Sequence, residues 1–219
     1  MGANRAAPWP AVFLDRDGVI NRNIFNPATG SCEAPLTAAE FALAPSAAHV
    51  LHQLQSAGYL LFVVSNQPNY AKGKSSLKDL AAIDQKMRRE LASSDVVLSG
   101  VYYCLHHPEY TGPCACRKPL PYFPLRAIRQ FHLDPKRSWM IGDRKTDILC
   151  GRSAGVRTIF ISEDPQDTNA DFTAPNLLVA AKQILAPQQQ SSPANARVSS
   201  STLRNPDSRS FASYHSCGV

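Results

Sequence analysis

The sequence predicts an α/β fold with a doubly wound, mainly parallel sheet, and three observations lead to it. Short apolar runs recur along the chain, amphipathic helical stretches lie between them, and several runs stop abruptly at a polar residue. Strands buried on both faces read as continuous apolar runs, and strand–helix alternation marks a sheet wound from both sides. The chain has 219 residues, 44% hydrophobic and 8% aromatic, enough for one domain with a sizeable core. This excludes a mainly disordered chain, a collagen and a disulfide-stapled miniprotein.

The elements follow in order. Residues 1–10 (MGANRAAPWP) form an N-terminal arm with no apolar h-region, so no secretory signal is expected. Residues 11–14 (AVFL) make the first strand, which stops at Asp15. Ser46 is expected to cap a helix whose face carries Val50, Leu51, Leu54 and Ala57, with Gly58 as its stop. Leu60–Val64 is the second strand, ending at Ser65-Asn66. Ser76 and Asp79 form a capping box before Leu80, Ile83, Met87 and Leu91 at helical spacing. Val96–Tyr103 is a third strand, and Leu125, Ile128 and Leu133 mark a helix. Trp139–Ile141, a helix over Asp147–Ala154 and the strand Arg157–Ile161 complete the alternation. The domain is expected to span 11–186. Residues 187–219 are rich in Ser, Gln, Asn and Pro, and a disordered tail is expected there.

The longest apolar run, Tyr59–Val64, is far short of the ~20 residues that cross a bilayer. No membrane partner is expected, and a cytoplasmic monomer is. The net charge of +6 raises the possibility of a zinc-containing nucleic-acid-binding module. The cations argue otherwise. No five basic residues run together, and Arg16, Lys72, Arg117, Lys118, Arg144 and Lys145 lie within or beside the motifs described next. That arrangement suits a small anionic substrate better than a duplex, so no nucleic-acid partner is expected.

In an open α/β sheet, ligands bind beyond the carboxyl ends of the strands, where Asp15, Ser65-Asn66, Cys104 and Asp143 should converge. Asp15 and Asp17 stand two residues apart in Asp15-Arg16-Asp17-Gly18. Carboxylates this close repel and raise one another's pKa unless a cation neutralises them, a need that a hard divalent ion such as Mg²⁺ meets. Asp-Gly is also a common turn signal. Gly142-Asp143 ends another apolar run; Asp143 is placed to complete the metal site, with Asp147 supporting it from the first helical turn. Ser65-Asn66-Gln67 offers a hydroxyl and a helix N-terminus to phosphate oxygens. Arg117-Lys118-Pro119 reads alone as a basic turn. Cys104, Cys114 and Cys116 with His106, all within thirteen residues, fit a closed, structural Cys₃His zinc site, with His107 a competing ligand. Disulfides are the alternative, and the clustering without an export signal favours metal.

Taken together and in this order, DxDG, Ser-Asn, Lys-Pro and GDxxxD resemble the haloacid dehalogenase (HAD) superfamily of phosphohydrolases, subfamily IIIA, over about residues 11–160. The resemblance implies a Rossmann-like phosphatase with an inserted zinc loop over 104–116 and no large cap domain. It implies Asp15 as nucleophile and Asp17 as acid and base. Mg²⁺ would be held by the Asp15 and Asp143 side chains and the Asp17 carbonyl. Ser65 and Lys118 would bind the transferring phosphoryl group, with Asn66, Gln67, Arg117 and Arg144 completing the substrate site, and His106 is favoured over His107. Phe13–Asn21 (FLDRDGVIN), Val64–Gly73 and Tyr103–Pro119 further resemble the branch acting on the 7-phosphate of D-glycero-D-manno-heptose 1,7-bisphosphate, so a sugar phosphate is the implied substrate. The histidinol-phosphatases, suggested by IGDRKTDI at 141–148, are the alternative, along with other small phosphomonoesters. Two departures stand out. Ser-Asn-Gln-Pro-Asn-Tyr-Ala-Lys-Gly replaces the usual Thr-Asn-Gln-Ser-Gly-Ile-Ala-Arg-Gly, so that Pro68 removes a backbone N–H. The linker from His106 to Cys114 is also shorter than in the commonest heptose enzymes.

Overall fold

The computed structural model describes residues 7–164 and 168–186. Its elements are β1 (Ala11–Leu14), β2 (Ile24–Asn26), β3 (Ser31–Glu33), α1 (Ala47–Ser56), β4 (Leu60–Asn66), α2 (Leu77–Ala92), β5 (Gly100–Cys104) and the single turn α3 (Pro108–Thr111). They continue with α4 (Tyr122–Gln130), a 3₁₀ turn (Pro135–Arg137), β6 (Trp139–Gly142), α5 (Lys145–Ser153), β7 (Arg157–Ile161), β8 (Phe172–Ala174) and α6 (Leu177–Leu185). Six strands form one sheet in the order β5-β4-β1-β6-β7-β8, and every neighbouring pair is parallel.

The strand side chains alternate between two cores. Val12, Leu14, Leu61, Val63, Trp139, Ile141 and Ile159 face α1, α2 and α6. Ala11, Phe13, Phe62, Val64, Tyr102 and Met140 face the opposite core with Phe123 and Ala127 of α4. With no polar face left to alternate, the strands read as unbroken apolar runs. The central β1 is wholly buried, so the chain leaving it delivers Asp15 to the middle of the C-terminal edge.

Several local expectations need correction. Ser46 sits in the left-handed region (φ 61°) and makes no side-chain cap, so α1 is held by burial of Val50, Leu51 and Leu54, while Ala57 is exposed beyond the helix. The apolar stretch from Val96 becomes strand only at Gly100: Val96 and Leu98 are buried in the approach, and Ser99 N–H donates to Leu61 O. α4 buries Phe123 and Ala127; Leu125 and Ile128 are half-buried and Leu133 lies past its end. The capping box of Ser76 and Asp79 is present.

Of the expected arm, residues 7–10 are described. Trp9 N–H donates to His132 O (3.1 Å), and Trp9 O accepts from Asp134 N–H (2.8 Å). The expected tail, 187–219, lies outside the described residues. No described helix is long and apolar enough to cross a membrane. Among the described residues no large cap domain overhangs the sheet edge; the small antiparallel hairpin β2–β3 and the loop from β5 to Lys118 flank it.

Candidate active site

Four loops leaving parallel strands meet at one edge. Asp15 follows β1, Asp143 follows β6, and Asp147 lies in the first turn of α5. Their carboxylate oxygens lie within 4.8 Å of one another. Lys118 reaches them from the loop after β5: its Nζ donates to Val64 O (2.7 Å) and sits 3.1 Å from Asp15 Oδ2 and 2.6 Å from Asp147 Oδ1. Burial disfavours this ammonium, but Asp147 and Asp15 reverse the effect and hold its pKa above the usual lysine range.

One buried ammonium does not balance three carboxylates. Burial, then Asp15 and Asp147, push the Asp143 carboxyl up to about 7. Burial also pushes Asp147 up to about 6, against the pull of Lys118. Asp143 Oδ1 is buried with no hydrogen-bond partner. Hard oxygen donors carrying uncompensated negative charge fit a divalent cation such as Mg²⁺. Gly18 keeps the space open. Its φ is +83°, and a Cβ there would fall 2.1 Å from Asp143 Oδ2.

The Asp17 side chain is not part of this carboxylate group. Its Oδ1 accepts from Arg16 Nε and Asn21 Nδ2 (both 3.1 Å), and its Oδ2 accepts from Arg16 Nη2 (3.1 Å) and Gln67 Nε2 (2.7 Å). Ser65, buried at the end of β4, accepts from Gln67 Nε2 through its Oγ (3.1 Å). Asn66 spends both ends of its amide on the Lys118 backbone: Oδ1 accepts from the N–H (3.0 Å) and Nδ2 donates to the carbonyl (3.2 Å). Asn66 therefore fixes the lysine loop.

Above this floor opens a cleft of about 710 Å³. Its walls are the hairpin at Cys32–Ala34, the loop Gln67–Lys74, the loop to Arg117 and the start of α5. Arg117 donates to His106 O (2.9 Å) and lines the cleft together with Lys72, Lys74, Arg144 and Lys145. Of the acidic trio Asp15 lines this cleft, beside Asp17 and the cations just named.

Beside the cleft, Cys104, His106, Cys114 and Cys116 form a second cluster. Cys104 Sγ lies 3.7 Å from Cys114 Sγ and 3.4 Å from Cys116 Sγ, and the Cys114–Cys116 separation is 3.7 Å. His106 Nδ1 is 3.8 Å from Cys104 Sγ and 3.4 Å from Cys116 Sγ. Tetrahedral thiolate ligands at the ~2.3 Å zinc–sulfur distance stand ~3.8 Å apart, so these spacings fit a zinc ion at the centre. His107 is outside the cluster; its Nδ1 accepts from Glu109 N–H at the start of α3. All five described cysteines are free.

Two contributors are placed in a way that the sequence does not display. The hairpin strands are three residues each and none of their residues is buried. Arg16, between two aspartates, looks like a surface charge, yet none of it is exposed.

Comparison with known proteins adds to this geometry. The family model for HAD-hydrolase-like proteins matches residues 115–181. D-glycero-beta-D-manno-heptose-1,7-bisphosphate 7-phosphatase of Pasteurella multocida is 36% identical over 151 residues, covering 67% of this chain and 78% of the relative. The protein of the same name from Vibrio cholerae is 38% identical over 162 residues, covering 68% and 78%. Among solved structures, D,D-heptose 1,7-bisphosphate phosphatase from B. bronchiseptica, complexed with magnesium and phosphate, superposes with a TM-score of 0.69 at 26% identity. It covers 80% of this chain and 98% of that one.

Proposed function

Because the chain belongs to the HAD-like phosphoric monoester hydrolases, in the family of the heptose-bisphosphate phosphatases, we propose that its cleft removes the 7-phosphate of D-glycero-D-manno-heptose 1,7-bisphosphate. The observation that carries this reading is the pairing of the Asp15 and Asp17 carboxylates with a set of cations in one cleft. The floor suits one phosphoryl group at Asp15, and Lys72, Lys74, Arg117, Arg144 and Lys145 leave charge for a second phosphate on the same sugar.

In this reading a carboxylate oxygen of Asp15 attacks phosphorus. The bond to the sugar oxygen breaks, and Asp17, acting as the general acid, gives a proton to that oxygen. Water then attacks the aspartyl-phosphate, Asp17 takes the water's proton, and inorganic phosphate leaves with Asp15 restored. Lys118 and the Ser65 hydroxyl hold the phosphoryl oxygens, and the lysine also screens Asp15 from an anionic substrate. Asp15, Asp143 and the Asp17 carbonyl would hold Mg²⁺, which when bound would supply positive charge against the phosphoryl oxygens. Cys104, His106, Cys114 and Cys116 would hold Zn²⁺ in a structural role, since four protein ligands leave no open position.

Phosphate release across heptose 1,7-bisphosphate, histidinol phosphate and nucleoside monophosphates tests the substrate. A kcat/KM for the heptose bisphosphate ~100-fold or more above the others is expected. A preference for histidinol phosphate would overturn the sugar assignment and leave the phosphatase chemistry standing.

A further inference from the structure

Arg16 has no role in the scheme above, yet it is among the most thoroughly buried side chains of the molecule. Its backbone N–H donates to Asp15 Oδ1 (2.7 Å), and its guanidinium forks onto both oxygens of Asp17 through Nε and Nη2 (3.1 Å each). Nη2 also donates to Gln67 Oε1 (3.0 Å), and the Nε2 of the same amide returns to Asp17 Oδ2 (2.7 Å) and to Ser65 Oγ (3.1 Å). The guanidinium carbon stands 5.4 Å from the centre of the Tyr103 ring, whose hydroxyl donates to Asp84 Oδ1 (3.1 Å). Asp84 is anchored in turn by Arg88 Nε (2.9 Å). One buried residue therefore touches both carboxylates of the Asp15/Asp17 pair and packs against Tyr103, which is itself bonded to α2.

We propose that Arg16 and Gln67 are positioning residues that fix the rotation of the Asp17 carboxyl, one of the four donors on its oxygens giving way when Asp17 carries the proton for the leaving oxygen. Gln67 is then not a substrate ligand, because both ends of its amide are already engaged within the protein. A planar fork fixes the rotation of a carboxyl group in a way that a point charge does not. Gln67 spans Asp17 and Ser65, so the acid and the phosphoryl-binding hydroxyl share one amide. This inference rests on the phosphatase reading and on Asp17 as the acid, and is independent of which sugar is used.

The test compares leaving groups. An alkyl phosphate needs its departing oxygen protonated, whereas the stable anion of p-nitrophenyl phosphate leaves with little help. Arg16→Lys and Gln67→Met are each measured for kcat/KM on p-nitrophenyl phosphate and on a sugar phosphate that the wild type turns over. Thermal midpoint and zinc content serve as controls. The expected result is a loss on the alkyl substrate at least ~10-fold greater than on the aryl one, carried by kcat with KM little changed, in both variants. Equal losses on the two substrates, or unchanged kcat/KM on both, would overturn the proposal. If Arg16→Lys does not fold, Gln67→Met decides. A wild type that hydrolyses neither substrate would instead refute the phosphatase reading.

Discussion

Two candidate metal centres lie side by side in this molecule, and they are built in opposite ways. The carboxylate floor draws Asp15, Lys118, Asp143 and Asp147 from three loops spread over more than 130 residues of chain. The cysteine cluster takes all four ligands from the thirteen residues 104–116. The floor offers hard oxygens, leaves Asp143 Oδ1 unpartnered and opens to the cleft; the cluster offers soft donors, with Cys104 and Cys116 buried. On the proposed assignment, the difference teaches that a site acting on a substrate is assembled by the whole sheet and carries unbalanced charge, whereas a site that only braces a loop is closed by local sequence. The two meet at one point, since Cys116 is followed directly by Arg117 and Lys118.

Breaking either centre should therefore give a different signature. The largest effect belongs to the floor: Asp15→Asn keeps the volume and removes the nucleophile, so steady-state hydrolysis should fall below ~1% of wild type with the fold unchanged. Folded protein with activity above that level would end the covalent scheme. Next comes Cys116→Ser. Zinc content should drop, and the thermal midpoint with it, because binding energy at such a site is also folding energy. The kinetic loss should lie in substrate handling through a displaced Lys118; normal zinc content and KM would break the link between the two centres. Gly18→Ala is a finer probe of the floor. A Cβ 2.1 Å from Asp143 Oδ2 should weaken Mg²⁺ affinity by ~10-fold or more while leaving zinc in place, as a Mg²⁺ activation curve would read. The smallest effect is expected from truncation after Ala186, on the proposal that the domain ends there. Activity should be unchanged and the midpoint should move by no more than ~1 °C; a larger loss would show that residues 187–219 dock on it.

The clustering of the local group was legible from spacing, because cysteines two and ten residues apart need no tertiary information to be grouped, while the choice of His106 over His107 came from the family resemblance. The convergence of the dispersed acids was legible for another reason: β1 and β6 announce their ends by an abrupt polar residue, Leu14 giving way to Asp15 and Gly142 to Asp143. The remainder depended on partners that the sequence does not display. Ser46 carries a good capping side chain but occupies a left-handed conformation, so burial of Val50, Leu51 and Leu54 decides where α1 begins. The hairpin strands Ile24–Asn26 and Ser31–Glu33 are too short and too exposed to show a period. Asn66 and Gln67 line the cleft, but the sequence does not display that their amides also bond to Lys118, Asp17 and Arg16. Arg16 was obscured by its neighbours, since an arginine flanked by aspartates gives no hint of full burial.

The central claim is that the two centres hold different metals for different tasks, and metal analysis with activity on the same sample tests it most directly. Freshly purified protein should carry about one zinc per chain, retain it after brief chelation that abolishes activity, and recover activity on addition of Mg²⁺ and not of Zn²⁺. Less than ~0.2 zinc per chain in fully active protein, or activity restored by zinc alone, would contradict the account.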